Sequence, residues 1–156
     1  YGDTTSAAIY GAFEKAIQDG VKIIVCAWDT KKESEAILRA VQLAQAKGVL
    51  VLTAAGDKGE NIWENPHFPA KYNSFSNVIS VGSIDKSGAL GAVNGRYSNF
   101  GEGAVDILAP GINIEVLAPR NDYVVRNGTD LATAHVAGVA ALLWEKNPEL
   151  NASRIK

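Results

Sequence analysis

The chain has 156 residues, 47% of them hydrophobic, with one cysteine, two histidines and a formal net charge of -2. That is one domain's worth of chain with ample material for a core, and a lone cysteine excludes a disulfide framework. The small net charge and the lack of any basic run give no reason to expect nucleic acid or an anionic membrane as partner, and the longest apolar stretch, Val136 to Trp144, is too short to span a bilayer.

Tyr1 opens inside an amphipathic segment with no signal-peptide pattern, so the sequence reads as an internal piece of something longer. Thr5 or Ser6 is placed to cap a helix whose Ile9, Phe13 and Ile17 fall on one stripe at spacing four and which ends at Gly20. Val21 to Trp28 is then a nearly continuous apolar run, as expected of a parallel strand covered on both faces, and Cys26 within it reads as a small buried hydrophobe. Glu33 to Lys47 repeats the helical pattern through Ile37, Val41 and Ala44, with Gly48 as a stop. Val49 to Ala55 is the next buried strand and Asn77 to Ile84 the third. Leu131 to Lys146 is apolar nearly all round, with Ala and Gly permitting close approach, which predicts a central buried helix. There are no repeats and no low-complexity linker, so residues 1–156 are read as one unit of α/β layered architecture. Asn127-Gly128-Thr129 and Asn151-Ala152-Ser153 are glycosylation sequons, a pattern that arises often by chance.

The most informative segment is Asn127-Gly128-Thr129-Asp130-Leu131-Ala132-Thr133-Ala134-His135-Val136-Ala137-Gly138, which has the shape of a nucleophile turn opening a buried helix. It resembles the run Gly-Thr-Ser-hydrophobic-Ala-x-Pro-His-Val-Ala-Gly of the subtilisin-like serine peptidases (subtilases), with Gly128, Thr129, Ala132, His135, Val136, Ala137 and Gly138 matching. Other stretches follow in family order: Val49 to Asp57 resembles the strand ending in Ala-Ala-Gly-Asn, and Asn65 to Tyr72 with Phe68-Pro69 resembles the loop with a cis-proline near the specificity pocket. Asn77 to Ser83 is similar to the Val-Ile-x-Val-Gly strand, while Tyr97 to Gly101 and Val105 to Gly111 follow the Phe-Ser-Asn-x-Gly and Val-Asp-Ile-x-Ala-Pro-Gly signatures. The resemblance implies a subtilisin-like three-layer α/β/α fold with a parallel sheet, of which this chain is the C-terminal half.

The departures from the pattern bear on chemistry. Asp130 stands at the nucleophile position, and a carboxylate has no proton to surrender at neutral pH and is a far poorer acyl acceptor than an activated alkoxide. Asp57 takes the place of the family's oxyanion donor; an ionised carboxylate accepts hydrogen bonds and repels developing negative charge, and in subtilisin, the standard example, losing the donor costs roughly 3 to 4 kcal/mol. Ala27-Trp28-Asp29 aligns with the Ser-Leu-Gly stretch that pairs with substrate backbone and walls the specificity pocket, where Trp28 and Asp29 are expected to fill space that glycine leaves open. In subtilases the acid and the base precede the serine in the chain, in a region this sequence does not include. His135 falls at the family's structural histidine and is expected to pack within its helix, and His67 is expected to be an ordinary loop residue.

These features together predict a non-catalytic subtilase-like region serving as a scaffold or as a protein- or peptide-binding module, with Ala27, Trp28, Asp29, Ala55, Gly56 and Thr129 around the former substrate cleft. One alternative is a part of a serine endopeptidase whose Asp and His lie upstream. Another is cation binding, calcium or magnesium, by Asp57, Asp130 and Asp29 around one cleft, although no metal-binding loop supports it and no cofactor is otherwise expected. Asp130 also has a purely structural reading as a capping residue of the helix that follows. Because only about three parallel strands are counted, the Val21 to Trp28 strand is expected to present an open apolar edge. Its partner is expected to be an N-terminal portion of the same domain, another protein chain or a second copy, unless Tyr1 to Ser6 covers it. The resemblance favours a secreted or cell-surface location.

Overall fold

A computed structural model describes residues 5–93 and 96–156. The first helix, α1, runs Ser6–Gln18 with Thr5 as its N-cap, the Thr5 hydroxyl accepting the Ala8 amide at 3.2 Å. Phe13 is buried and Ile9 and Ile17 pack beside it, so the stripe at spacing four is the inner face. The chain leaves the helix through Gly20 at φ 79° and enters β1, Ile23–Cys26. Helix α2, Glu35–Ala46, buries Ile37, Ala40, Val41 and Ala44 and is followed by β2, Leu50–Ala54, and β3, Val78–Ile84. A short hairpin, β4 Ala92–Val93 with β5 Arg96–Tyr97, precedes β6, Ile107–Pro110. A second hairpin joins β7, Ile114–Ala118, to β8, Asp122–Arg126, and the chain ends in α3, Thr129–Lys146, and α4, Ala152–Ile155.

Strands β1, β2, β3 and β6 form one parallel sheet in the order β1-β2-β3-β6, with Ile24 opposite Val51, Leu52 opposite Ile79 and Val81 opposite Ile107. Successive side chains of a strand face opposite ways, and β2 divides accordingly. Val51 joins Phe13, Ile37, Val41 and Val78 under α1 and α2, whereas Leu50 and Leu52 join Ile79, Val81, Val136 and Trp144 under α3. The result is a three-layer α/β/α sandwich. Leu52 is fully buried, and its truncation to alanine belongs to the class that costs about 2 to 5 kcal/mol.

Four sequence expectations need correction. The parallel sheet has four strands, not three: β6 lies within a signature stretch broken by Asp106 and Pro110, with no long apolar run to mark it. Strand β1 is shorter than the Val21 to Trp28 run and is not covered on both faces, since Val25 is exposed. Helix α3 is not buried all round either. Ala132, Thr133, Val136, Ala140 and Trp144 face the sheet, while Val139, Leu142 and Leu143 are exposed. His135 stands on that exposed side, its Nδ1 3.0 Å from the Leu131 carbonyl oxygen, and is not packed. The segment Tyr1 to Ser6, considered as a cover for the sheet edge, lies outside the described residues for positions 1–4.

Candidate functional site

The ends of the parallel strands β1 and β2 lie at the same end of the sheet, and hydrogen bonds between Thr129 and the Gly56-Asp57 segment bring the start of α3 to the same place. Ala55 and Gly56 continue β2; Ala55 is fully buried and its amide donates to Val81 at 2.9 Å. Gly56 has φ 99°, and a Cβ there would meet Asn99 Nδ2 at 2.5 Å, His67 Nδ1 at 3.1 Å and Asp29 Oδ2 at 3.2 Å. Glycine is thus required both by the backbone and by the side chains packed under it. The Gly56 amide donates to the Thr129 hydroxyl oxygen at 3.0 Å, which ties the end of β2 to the first residue of α3.

Asp57 completes that tie. Its Oδ1 accepts the Thr129 amide at 2.9 Å, and the Thr129 hydroxyl lies 3.4 Å from Oδ2. Free amides at a helix start attract acceptors, and a carboxylate there is favoured by the helix dipole. Asp130 sits in the first turn of α3 and makes no side-chain capping bond; the residue at the N-cap is Gly128. The capping role expected of Asp130 is therefore filled by Asp57, which takes the Thr129 amide, whereas Asp130 is already inside the turn. Burial raises the carboxyl pKa of Asp57 above its ordinary value, the Thr129 amide opposes this, and the nearby charges of Asp130 and Asp29 raise it further.

Around the other side of Gly56, Trp28 packs against the Phe13 cluster and lines an open groove of about 770 Å³ with Thr5, Ser6, Ile9, Lys32 and Ile37. Trp28 is a wall of that groove and does not fill it, because its ring turns toward α1 and α2. Asp29 lines the same groove, with its Oδ2 on His67 Nδ1. His67 is fully buried, so the expectation of an ordinary loop residue is wrong: its Nε2 lies 2.6 Å from Glu60 Oε2, and Lys31 Nζ holds the other Glu60 oxygen at 2.6 Å. Lys31 and His67 together lower the pKa of Glu60 below its ordinary value. Asn99, also fully buried, fixes the intervening loop by donating to the Ala55 carbonyl at 2.8 Å and accepting the Lys58 and Glu60 amides at 3.0 Å each.

The structure thus gathers Thr129, by hydrogen bond, and the charges of Asp29 and Asp130 around Asp57, while Ala27 is exposed. Sequence reasoning missed His67, Glu60, Lys31 and the particular work of Asn99. Their partners are 7 to 44 positions apart in the chain, and no motif joins them. Phe68-Pro69 is a cis peptide, as the loop pattern suggested.

The sequence pattern of the subtilase family matches residues 1–156. This chain belongs to the subtilase family. Curated relatives include subtilisin DY of Bacillus licheniformis, 37% identical over 99% of this chain and 54% of the relative. Alkaline elastase YaB of Bacillus sp. (strain YaB) is 36% identical over 99% of this chain and 38% of its own length, and subtilisin Savinase of Lederbergia lenta is 32% identical over 99% and 54%. The chain spans about half or less of the length of these relatives. As a subtilase chain it carries the three-layer fold with a parallel sheet of four strands.

Proposed function

We propose that this subtilase region does not cleave peptide bonds and acts as a scaffold or a protein- or peptide-binding module. The observation that carries this reading is the pair of acids at the start of α3: Asp130 occupies the nucleophile position, and Asp57, at the oxyanion position, already accepts the Thr129 amide. A site meant to hold a negative oxygen needs donors there, and these residues present acceptors. Neither histidine serves as a base beside Asp130, since His67 is held between Asp29 and Glu60 and His135 points along the exposed side of α3.

The open groove beside Trp28 and the exposed edge of β1 support binding of an extended chain or of a further portion of a subtilase domain. A second copy of the chain is the other occupant the open edge admits. Subtilase membership supports a secreted or cell-surface setting; no helix among the described residues is long and apolar enough to cross a membrane. The competing reading, a portion of an active serine endopeptidase, draws support from relatives whose names describe proteases and an elastase. The third, a cation held by the acidic cleft, has less to recommend it, because among the described residues no group of three or more His, Cys, Asp or Glu side chains is placed to hold a metal ion.

Incubation of the purified chain with unfolded casein tests the proposal. No turnover is expected. Turnover that persists through purification and disappears in Asp130→Ala would overturn it.

A further inference from the structure

The ring of His67 faces a carboxylate at each nitrogen: Asp29 Oδ2 at Nδ1, and Glu60 Oε2 at 2.6 Å from Nε2. An ionised carboxylate only accepts, and a neutral imidazole offers one N–H and one lone pair, so both contacts are hydrogen bonds only while the ring carries both protons. The His67 side chain is fully buried, whereas those of Asp29 and Glu60 are 28% and 25% exposed, which leaves the carboxylates in touch with water and the imidazolium away from it.

The groups facing this ring come from three segments. Asp29 follows β1. Glu60 belongs to the loop after β2 and is held from outside by Lys31. Beyond Asp29 stands the Asp57 charge, which repels it, and the neutral Asn99 amide closes the space under Gly56. Next to both Asp29 and His67, Thr30 and Phe68 exchange backbone hydrogen bonds of 2.9 and 2.8 Å, so the ring is braced by a two-bond bridge between the same segments.

We propose that Asp29, His67 and Glu60 form a proton-operated latch that plugs the floor of the cleft beneath Gly56. With both ring protons in place the latch ties the segment after β1, the loop after β2 and the Phe68-Pro69 loop into one charged plug. When one ring proton leaves to solvent, a nitrogen lone pair faces a carboxylate in a buried place, that hydrogen bond is lost, and the two segments bridged by Thr30 and Phe68 separate. The inference is independent of whether the cleft binds a partner.

The chain contains only two histidines, so imidazole NMR on the full chain resolves His67 from the exposed His135, which serves as an internal reference. The expected result is two slowly exchanging ring N–H protons on His67 in the latched state. Raising the pH should remove one of them. Over the same titration the Thr30 and Phe68 amides should lose protection about tenfold after correction for intrinsic exchange, while the Val51 and Leu52 amides in β2 do not change. In His67→Gln, whose side chain does not titrate, protection at Thr30 and Phe68 should be independent of pH; should that variant fail to fold, coincidence of the two wild-type profiles decides. A singly protonated ring in the protected state, protection that does not follow ring titration, or a wild-type pH profile in His67→Gln overturns the latch.

Discussion

Asp57 and Thr129, 72 positions apart, are joined through both the amide and the hydroxyl of Thr129, the shorter contact being 2.9 Å from the amide to Oδ1. The carboxylate at the end of one buried strand thereby closes the start of the helix that covers the sheet. Asp130, inside the turn, contributes only charge, and that charge bears on Asp57. Asp130→Ala is therefore expected to change stability by less than about 0.5 kcal/mol, short of the roughly 1 kcal/mol typical of a lost cap. Asp57→Asn keeps an acceptor for the Thr129 amide and removes a desolvated, repelled charge, so it is expected to stabilise. For a partly exposed group screening limits the gain to about 0.5 to 1 kcal/mol, seen as a rise in Tm of about 1 to 4 °C. Thermal melts at neutral pH check both; a clear loss in Asp130→Ala would return the capping role to Asp130.

The same carboxyl predicts a pH dependence. Because the folded pKa of Asp57 is raised above 3.8, the native state keeps a proton that the unfolded chain has released. Its contribution is complete below 3.8 and is lost as pH rises through the folded value, so acidification through that value strengthens the fold. Glu60 works oppositely: its pKa is lowered below 4.5, so its contribution is present above 4.5 and is lost as pH falls through the folded value. Denaturant melts across this range should show the rise toward acid shrink in Asp57→Asn, and the fall at lower pH flatten in Glu60→Gln.

Gly56 and Asn99 give a steric test of how the cleft floor is held. Gly56→Ala places a Cβ 2.5 Å from Asn99 Nδ2 at φ 99°, and the Asn99 amide cannot retreat without giving up the Ala55 carbonyl. The expected cost is about 2 to 4 kcal/mol, from a conformation that alanine resists together with a displaced buried side chain. Gly20→Ala, at φ 79° with nothing within 4 Å, should cost only about 1 kcal/mol. Equal costs at the two sites would mean that the loop under Gly56 yields.

Much of this layering was legible because its elements announce themselves locally. Thr5, the Ile9-Phe13-Ile17 stripe, Gly20 and Gly48 mark α1 and the end of α2 by capping and periodicity alone. The start of α3 was legible only through its likeness to a nucleophile turn. Strand β6 was not legible, since Ile107 and Leu108 are half exposed and the strand has no apolar run to announce it. The face of α3 was misjudged for a related reason: an apolar residue such as Leu142 reads as core whether or not anything covers it. The site was least visible where it depends on side chains meeting across loops. Asp29, Glu60 and His67 are individually ordinary residues, and their common burial follows from how the ends of β1 and β2 and the Phe68-Pro69 loop fold together.

Restoring the family residues should not restore an activated serine. In Asp130→Ser with Asp57→Asn the hydroxyl has no base: His67 Nε2 is engaged by Glu60, and His135 Nδ1 lies against the Leu131 carbonyl one turn into α3. A serine without a base keeps only the residual catalysis of binding and oxyanion contacts. A fluorophosphonate probe should leave this double variant unlabelled, and strong labelling would reveal a base among the remaining residues.

The open edge of the sheet yields the last prediction. Strands β1 and β6 stand at the two ends of the order β1-β2-β3-β6, with Val25 40%, Ile107 46% and Leu108 44% exposed, and α3 exposes Val139, Leu142 and Leu143 at 57%, 66% and 43%, Val139 and Leu143 beside Ile107 of β6. An unpaired strand offers a row of free amides and carbonyls, and apolar side chains beside it make pairing with another chain favourable. The chain alone is therefore expected to self-associate as its concentration rises, and a charge on α3, as in Leu142→Glu, should shift association to higher concentration without unfolding the sandwich, because Leu142 contributes little to the buried core. Light scattering over a concentration series, with circular dichroism to confirm folding, reads both effects. A monodisperse monomer at high concentration, for the unmodified chain, would show that the β1 edge needs no partner.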